Sequence, residues 1–430
     1  MALSLAAGLV AALLLALAPF TPAQEPRTTG ALLCGFAIGW ALLAVLSVRL
    51  TDQPQRWAIV PAVFMGVGGL LQLVFGSAVI GALDWVWPPA LLALAVWMVV
   101  MARRRLRGRS GRLLLYPVLG VLALAALGGG YQVVGAAADA RAYPMPGQWV
   151  DVGGHSLHLN CTGSGSPTVV LQPGGGAMSS NMGWIAPAVA DVTRVCVYDR
   201  AGRGWSEPAD TAQDAAYISD DLRTLLQSAN VPGPYVLAGH SFGGLYTLTF
   251  AARYPDDVAG MVLVDSTAPA PAATPGAASP GMVGSYDVMG RLSALAAVSG
   301  RVGVARLYAP VEAGTLPPRS RDEVRASMAT PEGVRGTINE YVQANAAAVQ
   351  AASLTDFGDK PLVVLEAGLE SAAGWPAKQE RLASLSTNTA HRVIDGTHDD
   401  LIADQADAAE TTQAILDVLS SVRSNAPLAK

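Results

Sequence analysis

Five stretches of this 430-residue chain, 2 to 20, 31 to 48, roughly 58 to 78, 86 to 102 and 113 to 131, are almost free of charge. Each approaches the ~20 apolar residues that a helix needs to cross a bilayer. Residues 1–136 are therefore expected to form an all-α transmembrane domain of about five helices. Only "SAVIGALDW" separates the third stretch from the fourth, so a four-span count is the alternative. A cleaved signal peptide is the other reading of residues 1 to 20, but no Lys or Arg precedes the apolar run and it continues for a full span.

Charge sets the expected orientation. Residues 1 to 136 carry nine arginines against three acids, Glu25, Asp52 and Asp84, a formal +6 that leaves −11 for the rest of a chain whose total is −5. Six of those arginines lie in "RRRLRGRSGR", residues 103 to 112. Short loops rich in arginine stay in the cytoplasm. Counting outward puts Arg49, Arg56 and the N-terminus on the cytoplasmic side of a multi-pass cell-membrane protein, and everything after the last span outside the cytoplasm. The lipid bilayer is thus an expected partner. The acidic remainder has no basic stripe, so nucleic acid is not expected. Residues 137–148 read as a linker and 149–430 as a globular domain; "APAPAATPGAASPG", residues 268 to 281, reads as loosely ordered.

Within that domain, "YVLAGHSFGGLYTLTFAARYP" (235 to 255) raises the question of why Ser241 stands among glycines. Before it, Tyr235-Val236-Leu237-Ala238 suits a strand buried on both faces. After it, Leu245, Leu248, Ala252 and Tyr254 fall at roughly helical spacing up to Pro255. The serine therefore sits on a strand-to-helix turn, where Gly239 and Gly243 supply the small neighbours a tight turn requires. There the helix N-terminus favours negative charge, so Ser241 is expected to be a nucleophile. The remaining pattern alternates strands and helices: "PTVVLQPGGG", "RVCVYDRAGRGWSEP", "VAGMVLVDS", "KPLVVLEAG" and "AHRVIDG" end or contain buried strands, with helices between them. That is an α/β domain with a mostly parallel sheet and helices on both faces.

Here the chain resembles the α/β-hydrolase superfamily, serine hydrolase branch, over roughly residues 148 to 425. "GHSFGG" stands as the nucleophile elbow, "QPGGG" as the oxyanion loop, "YDRAGRGWS" where the family has Asp-x-x-Gly-x-Gly-x-Ser, and "GTHDD" as the histidine loop, in the family's order. The resemblance implies that His398 is the general base and that the backbone N–H groups of Gly175 and Phe242 hold the oxyanion. Some members carry the acid at the end of the strand after the nucleophile, which here is Asp265; others carry it one strand later, near Glu370, with Glu366 inside that strand. Asp265 is favoured, with Glu370 the alternative. Cys161 and Cys196 fall on strands that are neighbours in this fold, so a disulfide is expected.

An insertion at about 266–359 occupies the family's lid position, and its apolar residues (Met289, Leu292, Leu295, Leu307, Tyr341, Val342) suggest a small-molecule acyl or other apolar substrate. The expected function is a membrane-anchored esterase- or lipase-like serine hydrolase cleaving an ester, thioester or amide through an acyl-enzyme. No cofactor and no metal are expected. The alternative is a hydrolase-like ligand-binding or sensing module without turnover.

Overall fold

The computed structural model describes residues 1–106, 109–209, 211–270, 282–283, 286–309, 315–369 and 372–428. Most of the Pro/Ala/Gly stretch, from residue 271, therefore lies outside the described residues. The chain divides into two compact units, one of residues 1–142, 281–308 and 329–334, the other of residues 143–280, 309–328 and 335–430.

The first unit is built on five helices: α1 (Ala2–Ala16), α2 (Glu25–Leu50), α3 (Ile59–Phe75), α4 (Ile80–Arg105) and α5 (Arg109–Ala142). By length and hydropathy three stretches among the described residues can cross a membrane, Glu25–Leu50, Arg56–Arg105 and Gly111–Ala142, whereas α1 is shorter. The 50-residue middle stretch is not one rod. Phe64 stacks on Trp87 with ring centroids 4.4 Å apart, while a continuous helix would hold residues so spaced about 35 Å apart. The chain reverses near Gly76, whose φ of +55° suits glycine.

Small residues set the helix packing. A Cβ on Gly35 would come within 2.2 Å of the Ala12 backbone, and one on Gly8 within 2.8 Å of Gly39. Close backbone approach of this kind substitutes for hydrophobic drive between helices in lipid. Because 8 meets 39 and 12 meets 35, α1 and α2 are antiparallel; Phe64 against Trp87 and Gly129 beside Pro88 make α3–α4 and α4–α5 antiparallel too. Arg49, Arg56 and Arg103–Arg105 therefore gather at one end of the bundle, and Glu25 and Asp84 at the other.

Part of the insertion joins this unit. Arg301, at the end of helix Val288–Arg301, donates to both Glu25 oxygens at 2.7 and 2.6 Å and pairs with Asp84. Arg306 bonds Gln132 at 3.0 Å and Asp139 at 2.7 Å, and Arg291 bonds the carbonyl of Thr21 at 2.6 Å. So residues 286–308 pack with the apolar helices, and residues 309–328 and 335–359 belong to the other unit. Likewise α5 runs on to Ala142, into the stretch read as a linker.

The second unit is built on an eight-stranded sheet. Its strands are β1 (Gln148–Asp151), β2 (Ser156–Thr162), β3 (Val169–Gln172), β4 (Val195–Tyr198), β5 (Tyr235–His240) and β6 (Val258–Val264). The chain then forms a separate ribbon, β7 (Met282–Val283) with β8 (Tyr286–Asp287), that belongs to the first unit, before the sheet's last strands, β9 (Leu362–Ala367) and β10 (Thr389–Ile394). The order is β1-β2-β4-β3-β5-β6-β9-β10, with β1 and β2 antiparallel to their neighbours and the rest parallel. The buried runs of β3, β4, β5, β6 and β9 alternate between two cores, as the two-residue period of a strand requires. Val170, Leu237, Leu263 and Val364 face one core; Leu171, Ala238, Val264 and Leu365 face the other. Cys161 and Cys196 are register partners on β2 and β4 and form a disulfide, with Cα atoms 4.0 Å apart.

Candidate active site

Ser241 follows β5 and opens helix Phe242–Arg253 with φ 54° and ψ −121°, a conformation few non-glycine residues adopt. Its neighbours leave no room for larger residues. A Cβ on Gly243 would lie 2.1 Å from the Gln172 carbonyl oxygen, and one on Gly239 2.5 Å from that of Gly243. The strained turn is tied down by bonds from the Ser241 N–H to Val264 O at 3.1 Å and from the Thr267 N–H to Ser241 O at 3.1 Å.

Asp265 stands at the end of β6 with φ 39°, 3% exposed. Its Oδ2 accepts the His398 Nδ1–H at 2.5 Å, while its Oδ1 accepts the Trp375 indole N–H at 2.6 Å and the Ala367 N–H at 3.1 Å. Burial pushes the carboxyl up, but these bonds, led by that from His398, outweigh it and hold Asp265 below its ordinary value. An ionised Asp265 fixes the proton of His398 on Nδ1 and leaves Nε2 as the basic nitrogen. Of the two candidate acids Asp265 is the one bonded to His398; Glu370 lies outside the described residues, and Glu366 is bonded to His391 at 2.9 Å.

His240 turns the histidine loop toward the elbow. Its Nε2–H donates to the His398 carbonyl at 2.9 Å, and the two rings are 4.5 Å apart. Among the described residues the Ser241 hydroxyl has no hydrogen-bond partner. The glycine loop lies on the elbow: a Cβ on Gly174 would be 3.1 Å from the Ser241 Cβ, and one on Gly175 2.5 Å from the Phe242 ring. Tyr341 packs on Phe242 at 5.1 Å, whereas Leu292 and Leu307 belong to the other unit.

His155 and His158 lie elsewhere, bonded to Asp221 at 3.1 Å and to Asp199 at 2.8 Å. The sequence spacing predicts no metal cluster, yet the fold brings ligand atoms of His240, His398 and Asp399 within 4.8 Å of one another. Of the four ring nitrogens of His240 and His398, two, His240 Nε2 and His398 Nδ1, are committed to protein partners. Trp375 and Glu340 are not legible in the sequence, since a lone indole and a lone mid-helix acid carry no motif.

The alpha/beta hydrolase fold family matches residues 167–405, and the chain belongs to that family. An uncharacterized protein of Schizosaccharomyces pombe is 29% identical over 228 residues, covering 51% of this chain and 40% of that protein. The 2-(acetamidomethylene)succinate hydrolase of Mesorhizobium japonicum is 31% identical over 134 residues, 30% of this chain and 46% of that enzyme. Both alignments span less than half of the relative's own length. The enol-lactonase of Burkholderia xenovorans LB400 aligns with a TM-score of 0.49 at 20% identity, covering 64% of this chain and 100% of that one.

Proposed function

We propose that the protein is a membrane-anchored serine hydrolase that cleaves an ester, thioester or amide of an apolar or acyl substrate. The observation that carries this reading is the 2.5 Å bond between Asp265 and His398, formed by residues 133 apart in sequence and set beside a strained serine turn. In this reading Ser241 Oγ attacks the acyl carbonyl, His398 Nε2 takes its proton and returns it to the leaving group, and Asp265 steadies the imidazolium. The Phe242 and Gly175 N–H groups receive the oxyanion, and water then releases the acyl group by the same steps. The apolar helices of the first unit supply the anchor, with the arginine-rich end cytoplasmic.

The test is turnover by the full-length protein in detergent. Hydrolysis of p-nitrophenyl esters, screened from acetyl to lauroyl, is expected with a preference among chain lengths. Absence of turnover across esters, thioesters and anilides by folded protein favours a binding module instead.

A further inference from the structure

The "YDR" stretch at the end of β4 is buried and does more than close a turn. Asp199 accepts the Ser179 N–H at 2.6 Å and the Trp205 N–H at 3.1 Å, as well as His158. Next to it, the Arg200 side chain is 1% exposed and that of Glu340, from helix Pro331–Val342, is 4% exposed. Arg200 grips Glu340 with Nε at 2.8 Å and Nη2 at 3.1 Å, and reaches the carbonyl oxygens of Pro173 at 2.8 Å and Gly174 at 2.7 Å. Glu340 in turn accepts the Gly176 N–H at 2.6 Å.

These bonds fall on both sides of one residue. A peptide is planar and trans, so its C=O and N–H point in opposite directions. Holding the Gly174 carbonyl against Arg200 therefore turns the Gly175 N–H the other way, and holding the Gly176 N–H against Glu340 turns the Gly175 carbonyl away from Glu340. A glycine loop has little conformational preference of its own. Left alone, it would aim its donors poorly, and an oxyanion donor is effective only when set in advance. Guanidinium geometry suits the task, since one rigid fork meets two carbonyls and a carboxylate at once.

We propose that Arg200 and Glu340 are positioning residues that together aim the Gly175 N–H at the oxyanion. This rests on the serine hydrolase reading, and it makes the 335–359 part of the insertion a structural component of the oxyanion hole. A buried pair of this kind is a poor source of net stability, because desolvation offsets its attraction.

The test compares wild type with Arg200→Lys and Glu340→Gln as full-length protein. Three quantities are read: p-nitrophenyl butyrate kinetics, inhibition by butylboronic acid, whose tetrahedral adduct places an oxygen in the hole, and melting temperature. Arg200→Lys keeps the charge beside Glu340 but cannot hold both carbonyls. It is expected to lower kcat by about 100-fold with KM within about twofold, and to weaken boronate inhibition by a similar factor. Glu340→Gln is expected to lose about tenfold in both, and the double variant less than the product of the two losses. The proposal is overturned if either folded variant keeps kcat and boronate inhibition within about twofold of wild type, or if kcat falls while boronate inhibition does not. If one variant fails to fold, the other decides. A wild-type protein that neither turns over ester nor labels at Ser241 would instead remove the hydrolase reading on which the proposal stands.

Discussion

His240 donates its Nε2–H to the main-chain carbonyl of His398 at 2.9 Å, so the residue before the elbow serine anchors the loop that carries the neighbouring imidazole. Burial, reinforced by the nearby His398, drives the His240 imidazole down to about 3. It is therefore neutral in the folded protein at any working pH.

That neutrality has a measurable consequence. A folded-state value below the unfolded one means the unfolded chain binds the extra proton first as pH falls. The stability contributed by neutral His240 is complete above about pH 6.5 and is lost between there and pH 3, at up to about 1.4 kcal/mol per pH unit. His240→Gln removes this titration. The gap in melting temperature between wild type and variant is expected to narrow from pH 7 to pH 4; a gap that stays constant would contradict the assignment.

Asp265 is bonded at both oxygens, to His398 on one and to Trp375 and Ala367 on the other. Asp265→Asn is expected to lower kcat by about 10⁴ while the protein stays folded, because the amide cannot fix the same imidazole tautomer. Glu370→Gln should change kcat less than twofold. The reverse pattern in p-nitrophenyl butyrate hydrolysis would move the acid to the later strand.

The parts of this arrangement that were legible in the sequence are local ones. The elbow could be read because a buried strand, a serine between glycines and an amphipathic helix follow one another within twenty-odd residues. The family resemblance favoured Asp265 but left Glu370 open, since the choice depends on how β6 and β9 lie against the histidine loop. The insertion was harder still. Arg301 finds Glu25 and Asp84 across more than two hundred residues, and no local periodicity announces such a partner. Its place in the family order suggested a lid, while matched charges group residues 286–308 with the apolar helices.

Cys161 and Cys196 are directly opposed on antiparallel strands and joined by a disulfide, closing a separation of 35 residues. A link of that span typically contributes about 2–4 kcal/mol, chiefly by restricting the unfolded chain. Denatured, unreduced protein should alkylate at Cys34 alone, and reduction should lower the melting temperature. Alkylation at all three cysteines would mean that the pair is unlinked in the isolated protein.

The arginine-rich ends of α2 and α4 and the start of α3 lie together, and the acids Glu25 and Asp84 lie at the opposite end. With the arginines cytoplasmic, the residues after α5 fall outside the cytoplasm. A reporter active only in the cytoplasm, fused after Lys430, should be silent, and the same reporter inserted within residues 103 to 112 should be active. Strong activity from the C-terminal fusion would reverse the orientation.

The nucleophilic role of Ser241 is the central claim, and covalent labelling with a fluorophosphonate probe tests it most directly. The full-length protein is expected to take up one probe molecule on Ser241 and to lose ester hydrolysis in step with labelling. Ser241→Ala, with an unchanged melting temperature, is expected to take up none. Folded wild-type protein that resists the probe while another serine hydrolase in the same detergent reacts, or labelling that persists in Ser241→Ala, would contradict it.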